Sequence, residues 1–250
     1  MSDLAGKVAL VIGATSDVGL AISLALAEAG ATVHATGRRS ERLAALHGSA
    51  TAHVLDLADA DGVQTLLTGI QADVLVLNAA HESEAAPFLE GGMSKLRPIM
   101  EINFFAAAAV CLRLLPGMVE RGWGRVLAVG SLAASLGEAH GPAYCASKAA
   151  LEGLFRNLAI DYSRHGITFN TVAPGPIATE RLARWGPTKA RRLAMATANR
   201  RVASPEDVAH AVRFLASPAA GHITGEELRL DGGLHLGNPP MYVREPDRGT

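Results

Sequence analysis

Val8-Ala9-Leu10-Val11-Ile12-Gly13-Ala14-Thr15-Ser16-Asp17-Val18-Gly19 passes from an apolar, largely β-branched run straight into a polar turn bracketed by glycines. The run reads as a buried strand, and the amphipathic stretch from Val18 to Ala29 as the helix it feeds. A strand entering a helix through such a turn is the setting of a dinucleotide site, because the free N–H groups of the helix start face the pyrophosphate. Gly13 permits the tight turn and Gly19 lets helix pack closely on strand, with Thr15, Ser16 and Val18 completing the loop. Asp17 stands at the middle position, where a glycine usually lets the backbone approach the cofactor. Taken alone, the segment could also be an ordinary βα turn with Asp17 as the helix N-cap.

The same alternation continues along the chain. Further strands are expected at Thr32 to Thr36, Ala52 to Leu55, Val74 to Leu77, Arg125 to Val129, Thr168 to Val172 and Glu227 to Leu230. Helices are expected at Glu41 to Leu46, Asp59 to Ile70, Lys95 to Arg121, Pro142 to His165 and Pro205 to Ala216. Short β-branched runs alternating with longer amphipathic ones predict an α/β fold: a single-domain, doubly wound Rossmann fold whose parallel seven-stranded sheet carries helices on both faces. Residues 1–236 form this domain, and Gly237 to Thr250 read as an irregular tail. Pro176 to Asn199 is the least regular internal region, with an arginine-rich helical pattern after a Pro-Gly-Pro turn.

Composition narrows the function classes. The 250 residues are 49% hydrophobic and 19% charged, with net charge -1, so no basic stripe is available for nucleic acid. The N-terminus lacks the layout of a signal peptide, and the longest apolar run, Phe104 to Leu112, is short of a membrane span. A soluble cytoplasmic protein is expected. Cys111 and Cys145, the only cysteines, have no ligand-spaced partners, which argues against a disulfide framework or a metal site.

The end of the second strand decides between cofactors. An acidic residue there would bind the 2'-hydroxyl of NAD, but this chain has Gly37-Arg38-Arg39. A guanidinium can grip a 2'-phosphate through paired, charge-assisted hydrogen bonds, so NADP(H) is expected, with Arg38 as principal determinant and Arg39 as support. Tyr144-Cys145-Ala146-Ser147-Lys148 supplies the candidate chemistry: Tyr and Lys four residues apart share a helix face, and a close ammonium stabilises a phenolate. The spacing alone is common on helices.

Together these residues resemble the short-chain dehydrogenase/reductase family over essentially the whole chain. Ser131, thirteen residues before Tyr144, matches the family's serine, and Asn103 in Met100-Glu101-Ile102-Asn103-Phe104 its helix-borne asparagine. Asp56-Leu57 resembles the adenine-contacting pair, and Pro174-Gly175-Pro176-Ile177-Ala178-Thr179 the turn that meets the nicotinamide. Thr224-Gly225 with Asp231-Gly232-Gly233 looks like the signature of β-ketoacyl-carrier-protein reductases and their relatives. Four positions depart from the pattern. Ile12 replaces a threonine, Asp17 a glycine, and Leu77-Asn78-Ala79-Ala80 the usual Asn-Asn-Ala-Gly, which keeps Asn78 and Ala79 but adds a methyl at Ala80.

The resemblance implies that Tyr144 exchanges a proton with the substrate oxygen and that Lys148 tunes it and holds the nicotinamide ribose. It also implies that Ser131 stabilises the developing oxyanion and that Asn103 positions a relay water. The substrate is expected to be a small-molecule ketone or secondary alcohol, with a β-ketoacyl or polyketide-like ketone, free or carrier-bound, favoured. The oxidation of a sugar or other alcohol, or a non-catalytic NADP(H)-binding role, are the alternatives. The variable pocket should lie around His81-Glu82, Leu132 to His140 and Pro176 to Trp185, where Glu138 and His140 could meet a polar group. Arg181, Arg184, Lys189, Arg191 and Arg192 could face an anionic carrier. Apolar residues on more than one face of the helices at Lys95 to Arg121 and Pro142 to His165 suggest a homotetramer like those of relatives.

Overall fold

Strands form where the β-branched runs fall: β1 (Val8–Ile12), β2 (Thr32–Gly37), β3 (Thr51–Val54), β4 (Val74–Leu77), β5 (Gly124–Val129), β6 (Ile167–Pro174) and β7 (Glu227–Leu230). In the computed structural model, which describes residues 3–81 and 86–237, they make one seven-stranded sheet in the order β3-β2-β1-β4-β5-β6-β7. Every pairing is parallel. Glu82 and all of the expected tail beyond Gly237 lie outside the described residues.

The helices are α1 (Asp17–Glu28), α2 (Ser40–Leu43), α3 (Ala60–Thr68), α4 (Phe88–Met100), α5 (Ala106–Arg121), α6 (Ala133–Leu136), α7 (Pro142–Tyr162), α8 (Glu180–Arg184), α9 (Pro187–Ala196) and α10 (Pro205–Ala216). Side-chain alternation along β1 divides the interior. Ala9 and Val11 point to one face and pack with Ile22 and Leu26 of α1 and Val208 and Val212 of α10. Leu10 and Ile12 point to the other, where Leu114 and Met118 of α5 and Leu151 and Phe155 of α7 complete a second core. Both faces of the strand are therefore covered, which is why its sequence is apolar throughout.

One expectation is corrected. The helix foreseen from Lys95 to Arg121 is preceded by a short helical turn from Phe88, set off by a break at Gly92 (φ 49°), and is divided by a π-helical turn over Glu101–Phe105. Pro98 cannot donate the hydrogen bond of a regular helix, and the wider turn that follows carries Asn103. The arginine-rich helical pattern expected after Pro176 forms two short helices, α8 and α9. By length and composition the stretch Phe88–Arg121 is also apolar enough to cross a membrane. Here Val110, Cys111, Leu114, Leu115 and Met118 of its α5 half are buried in the second core.

The chain runs from β1 through β2 to β3 on one side of the sheet, then crosses to β4 on the other side of β1. The loops leaving β1 and β4 diverge at this point, opening a crevice at the carboxyl ends of the strands.

Candidate active site

The glycine turn is shaped by contacts too close for any side chain. Gly13 has φ 86°, and a Cβ there would lie 2.5 Å from the Ala79 nitrogen; one on Gly19 would lie 2.3 Å from the Gly13 oxygen. Ser16, in an extended conformation, is the N-cap of α1 and accepts a hydrogen bond from the Gly19 N–H at 3.0 Å. Asp17 is thus not the cap: it is already helical, and its carboxylate pairs with Arg42 and accepts from the Glu180 N–H at 2.7 Å. Asn78, at the end of β4, donates to the Gly13 carbonyl at 2.7 Å and to Ser16 Oγ at 2.9 Å. The asparagine braces the turn across the crevice.

That crevice is a cavity of about 840 Å³. Of the residues singled out from the sequence, Gly13, Thr15, Ser16, Asp17, Val18, Arg38, Arg39, Asp56, Leu57, Asn78, Ala79, Ala80, Ser131, Tyr144, Lys148, Pro174, Gly175, Ile177 and Thr179 all line it. Gly19 packs beneath it, and Asn103 stands behind it. The room and the start of α1 in its wall suit a dinucleotide. Arg38 at the lip is 69% exposed, and its guanidinium is 3.9 Å from the Asp56 carboxylate, a loose surface pair. Arg39 is more committed: it donates to the Thr15 carbonyl and lies 3.7 Å from Glu180.

Strand ends and one helix supply the polar centre. Lys148 is buried, and its ammonium donates to the Val129 carbonyl at 2.8 Å, at the last residue of β5. Its Nζ is 5.8 Å from the centre of the Tyr144 ring, as their placement one turn apart on α7 requires. Ser131 follows β5, and its Oγ accepts from the Ala133 N–H at 3.2 Å, leaving the hydroxyl proton for the cavity. Asn103, buried in the π-helical turn, donates to the His81 carbonyl at 3.1 Å and to Ser147 Oγ at 3.0 Å, and accepts from the His81 N–H at 2.6 Å. Ser147 in turn donates to the Tyr144 carbonyl. Both amide protons of Asn103 are taken, so its side chain ties α7 to the segment at His81.

Gly175 packs 3.1 Å, by its missing Cβ, from Asp231, so the turn after β6 rests on the turn after β7. Asp231 is buried and accepts from the N–H groups of Gly233 and His235 and from the His235 ring. Burial alone would raise its carboxyl, but these donors hold it below the usual carboxylate range. One turn beyond Lys148, Glu152 is 7% exposed with an Oε1 that finds no partner among the described residues. Burial first, and the neighbouring Glu227 second, push its carboxyl up to about 7.

The cavity continues past Tyr144 between Leu132, Leu136, Leu182, Trp185, Leu193 and Leu234. Arg181 and Arg184 stand at its rim, and Lys189 and Arg181 sit 3.5 and 4.8 Å from the Trp185 ring centre. Glu138 lies here too, while His140 lines a smaller hollow with Phe88, Lys95 and Tyr144. Glu180 falls within the expected pocket segment Pro176 to Trp185, but Leu193, Leu234, Lys95 and Arg42 were not foreseen from sequence. Their partners lie far along the chain, and no local spacing marks them.

A family model described as enoyl-(acyl carrier protein) reductase matches residues 13–235. The 3-oxoacyl-[acyl-carrier-protein] reductase FabG of Rickettsia conorii is 32% identical over 241 residues, covering 94% of this chain and 99% of that one. The 2,3-dihydroxy-2,3-dihydro-p-cumate dehydrogenase of Pseudomonas putida is 33% identical, covering 92% of this chain and 95% of its own. Among solved structures, one from Beutenbergia cavernae, described as an NAD(P) dependent gluconate 5-dehydrogenase with NADP bound at low occupancy, superposes with TM-score 0.87 at 35% identity, covering 94% of this chain and 99% of that one. A short chain dehydrogenase/reductase family protein superposes with TM-score 0.86 at 35% identity, covering 94% and 99%. The chain belongs to the short-chain dehydrogenase/reductase family. It is an oxidoreductase of a family that uses nicotinamide cofactors.

Proposed function

We propose that this enzyme is an NADP(H)-dependent ketoreductase acting on a β-ketoacyl or polyketide-like carbonyl. The observation that carries the reading is one cavity that joins Ser131, Tyr144 and Lys148 to an arginine lip on one side and an apolar, arginine-rimmed chamber on the other. Gly37-Arg38-Arg39 offers no carboxylate to a ribose hydroxyl, and Arg38 is free enough of Asp56 to turn to a 2'-phosphate. The chamber walls suit an acyl chain, and Arg181 and Arg184 suit an anion at its far end.

A bound nicotinamide supplies the hydride for reduction or accepts it in the reverse reaction. The protein's part is proton and charge management. Tyr144 donates its phenolic proton to the substrate oxygen, and the Lys148 ammonium, anchored on the Val129 carbonyl, favours the phenolate left behind. Ser131 donates to the same oxygen as negative charge gathers there. Asn103 holds α7 through Ser147 and His81, keeping the tyrosine in register with the end of β5.

Exposed apolar residues on two surfaces support a homotetramer: Phe105, Leu112 and Ile160 beside α5 and α7, and Phe214 and Leu228 on α10 and β7. With α5 packed as a core helix, a soluble cytoplasmic enzyme is the matching reading. Steady-state rates with NADPH and NADH against β-ketoacyl thioesters, gluconate-type sugar acids and dihydrodiols test the function. Preference for a β-ketoacyl thioester with NADPH is expected. Faster NAD⁺-linked oxidation of a sugar acid or diol would favour the dehydrogenase reading that the names of two relatives suggest, and tight NADPH binding without turnover would favour a regulator.

A further inference from the structure

Asp17 places a carboxylate on the cavity wall, in the turn where the fold expects the diphosphate of a dinucleotide. Burial alone would raise its carboxyl, but the Glu180 N–H and the Arg42 guanidinium hold it below the usual carboxylate range, so it is charged at neutral pH. Such a charge should repel the ligand the turn is built to receive. Arg42 answers it: Nη2 pairs with Asp17 Oδ1, Nη1 donates to Glu180 Oε1 at 2.8 Å, and Nε donates to the Thr15 carbonyl at 3.2 Å. Arg39 adds a second link, to Thr15 and Glu180. Two carboxylates and two guanidiniums balance. The cluster also joins three segments distant in sequence: the turn before α1, the start of α2, and α8, whose first N–H is held by Asp17.

We infer that Arg42 is a positioning residue for the cofactor site: it neutralises Asp17 at the diphosphate turn and, through Glu180, ties α8 across the cleft. The inference rests on the assignment of this cleft to a nicotinamide dinucleotide. It explains how the chain carries an acid where relatives that follow the family pattern have glycine. Arg42 is then required because Asp17 is present, and the two should be replaceable together. The same cluster makes α8, a wall of the substrate chamber through Leu182, move with the cofactor turn.

Calorimetric titration of NADPH into wild type, R42A, D17G and D17G/R42A tests this at low and at high salt, with hydrogen exchange of residues 180–196 measured on the apo enzymes. R42A should lose roughly 10- to 100-fold in affinity at low salt, the range expected for one uncompensated charge near the diphosphate, and less in 0.5 M salt. D17G/R42A should return to within about fivefold of wild type. Exchange at 180–196 should quicken in R42A without cofactor. An R42A enzyme with wild-type affinity, or a loss that D17G fails to relieve, overturns the inference. Wild type that binds neither NADPH nor NADH would instead remove the cofactor assignment on which it stands.

Discussion

Replacing Glu152 with glutamine tests a strongly displaced carboxyl beside the site. Its carboxyl is 7% exposed, carries an unpartnered Oε1, and lies close enough to β5 that a Cβ on Gly130 would sit 3.5 Å from that oxygen. The charged groups around it are Lys148 and Arg156 on α7 and Glu227 and Arg229 on β7. Burial, with Glu227 adding repulsion, outweighs the three cations and raises the carboxyl from 4.5 to about 7. A group raised on folding favours the folded state only while protonated. Its contribution is therefore complete below about pH 4.5 and is lost as pH climbs to about 7. A rise of about 2.5 units at about 1.4 kcal/mol each sets an upper figure of about 3.4 kcal/mol lost across that interval. Partial relaxation around the charge should reduce this to about 2 kcal/mol.

Glu152→Gln keeps the shape and removes the ionisation. Urea denaturation of both proteins at half-unit steps from pH 4.5 to 8.5 isolates the effect as a difference between profiles, so any constant cost of a buried amide drops out. The gap should move in favour of the variant by about 2 kcal/mol between pH 4.5 and 7.5, then stay flat. In melting temperature this is about 4 to 8 °C for a chain of this size. A gap independent of pH would refute the argument, since it would mean that Glu152 titrates alike in folded and unfolded chains.

Tyr144→Phe should lower kcat by roughly 10²- to 10⁴-fold with NADPH affinity nearly unchanged, because only the proton donor is removed; retained turnover on a confirmed substrate would end the mechanism. Arg38→Ala should weaken NADPH by about tenfold or more and leave NADH within a few fold, as paired calorimetric titrations would show. Asn78→Ala removes both donors that brace the Gly13 carbonyl and Ser16, and should cost about 1 to 3 kcal/mol in chemical denaturation while weakening either cofactor alike. Leu112→Asp with Ile160→Asp should convert an assembled enzyme to smaller species by light scattering, since both side chains are about four-fifths exposed in the isolated chain.

The central strands were legible because a sheet covered on both faces demands continuous apolar runs, and β1 and β4 begin and end where those runs do. The centre of the site was legible because Tyr144 and Lys148 sit one turn apart, and Ser131 follows the strand whose last carbonyl anchors that lysine. What stayed hidden was long-range. The sequence offered Asp17 as a helix cap, a local role that Ser16 performs instead because it alone has the extended backbone a cap needs. The acid's true partners are Arg42, 25 residues on, and Glu180, 163 residues on, and only the folded sheet brings them together. Asn103 is a second case: its place on a helix was plain, but the π-turn that sets it beside His81 and Ser147 is not written in local spacing. Local spacing thus nominates Tyr144 and Lys148 and the family resemblance adds Ser131, while Asp17, a departure from the family pattern, becomes intelligible only through contacts that spacing cannot encode. Asp17 is a defect beside its sequence neighbours and a compensated charge beside its spatial ones. A substitution scored at that position without Arg42 would be judged in the wrong surroundings.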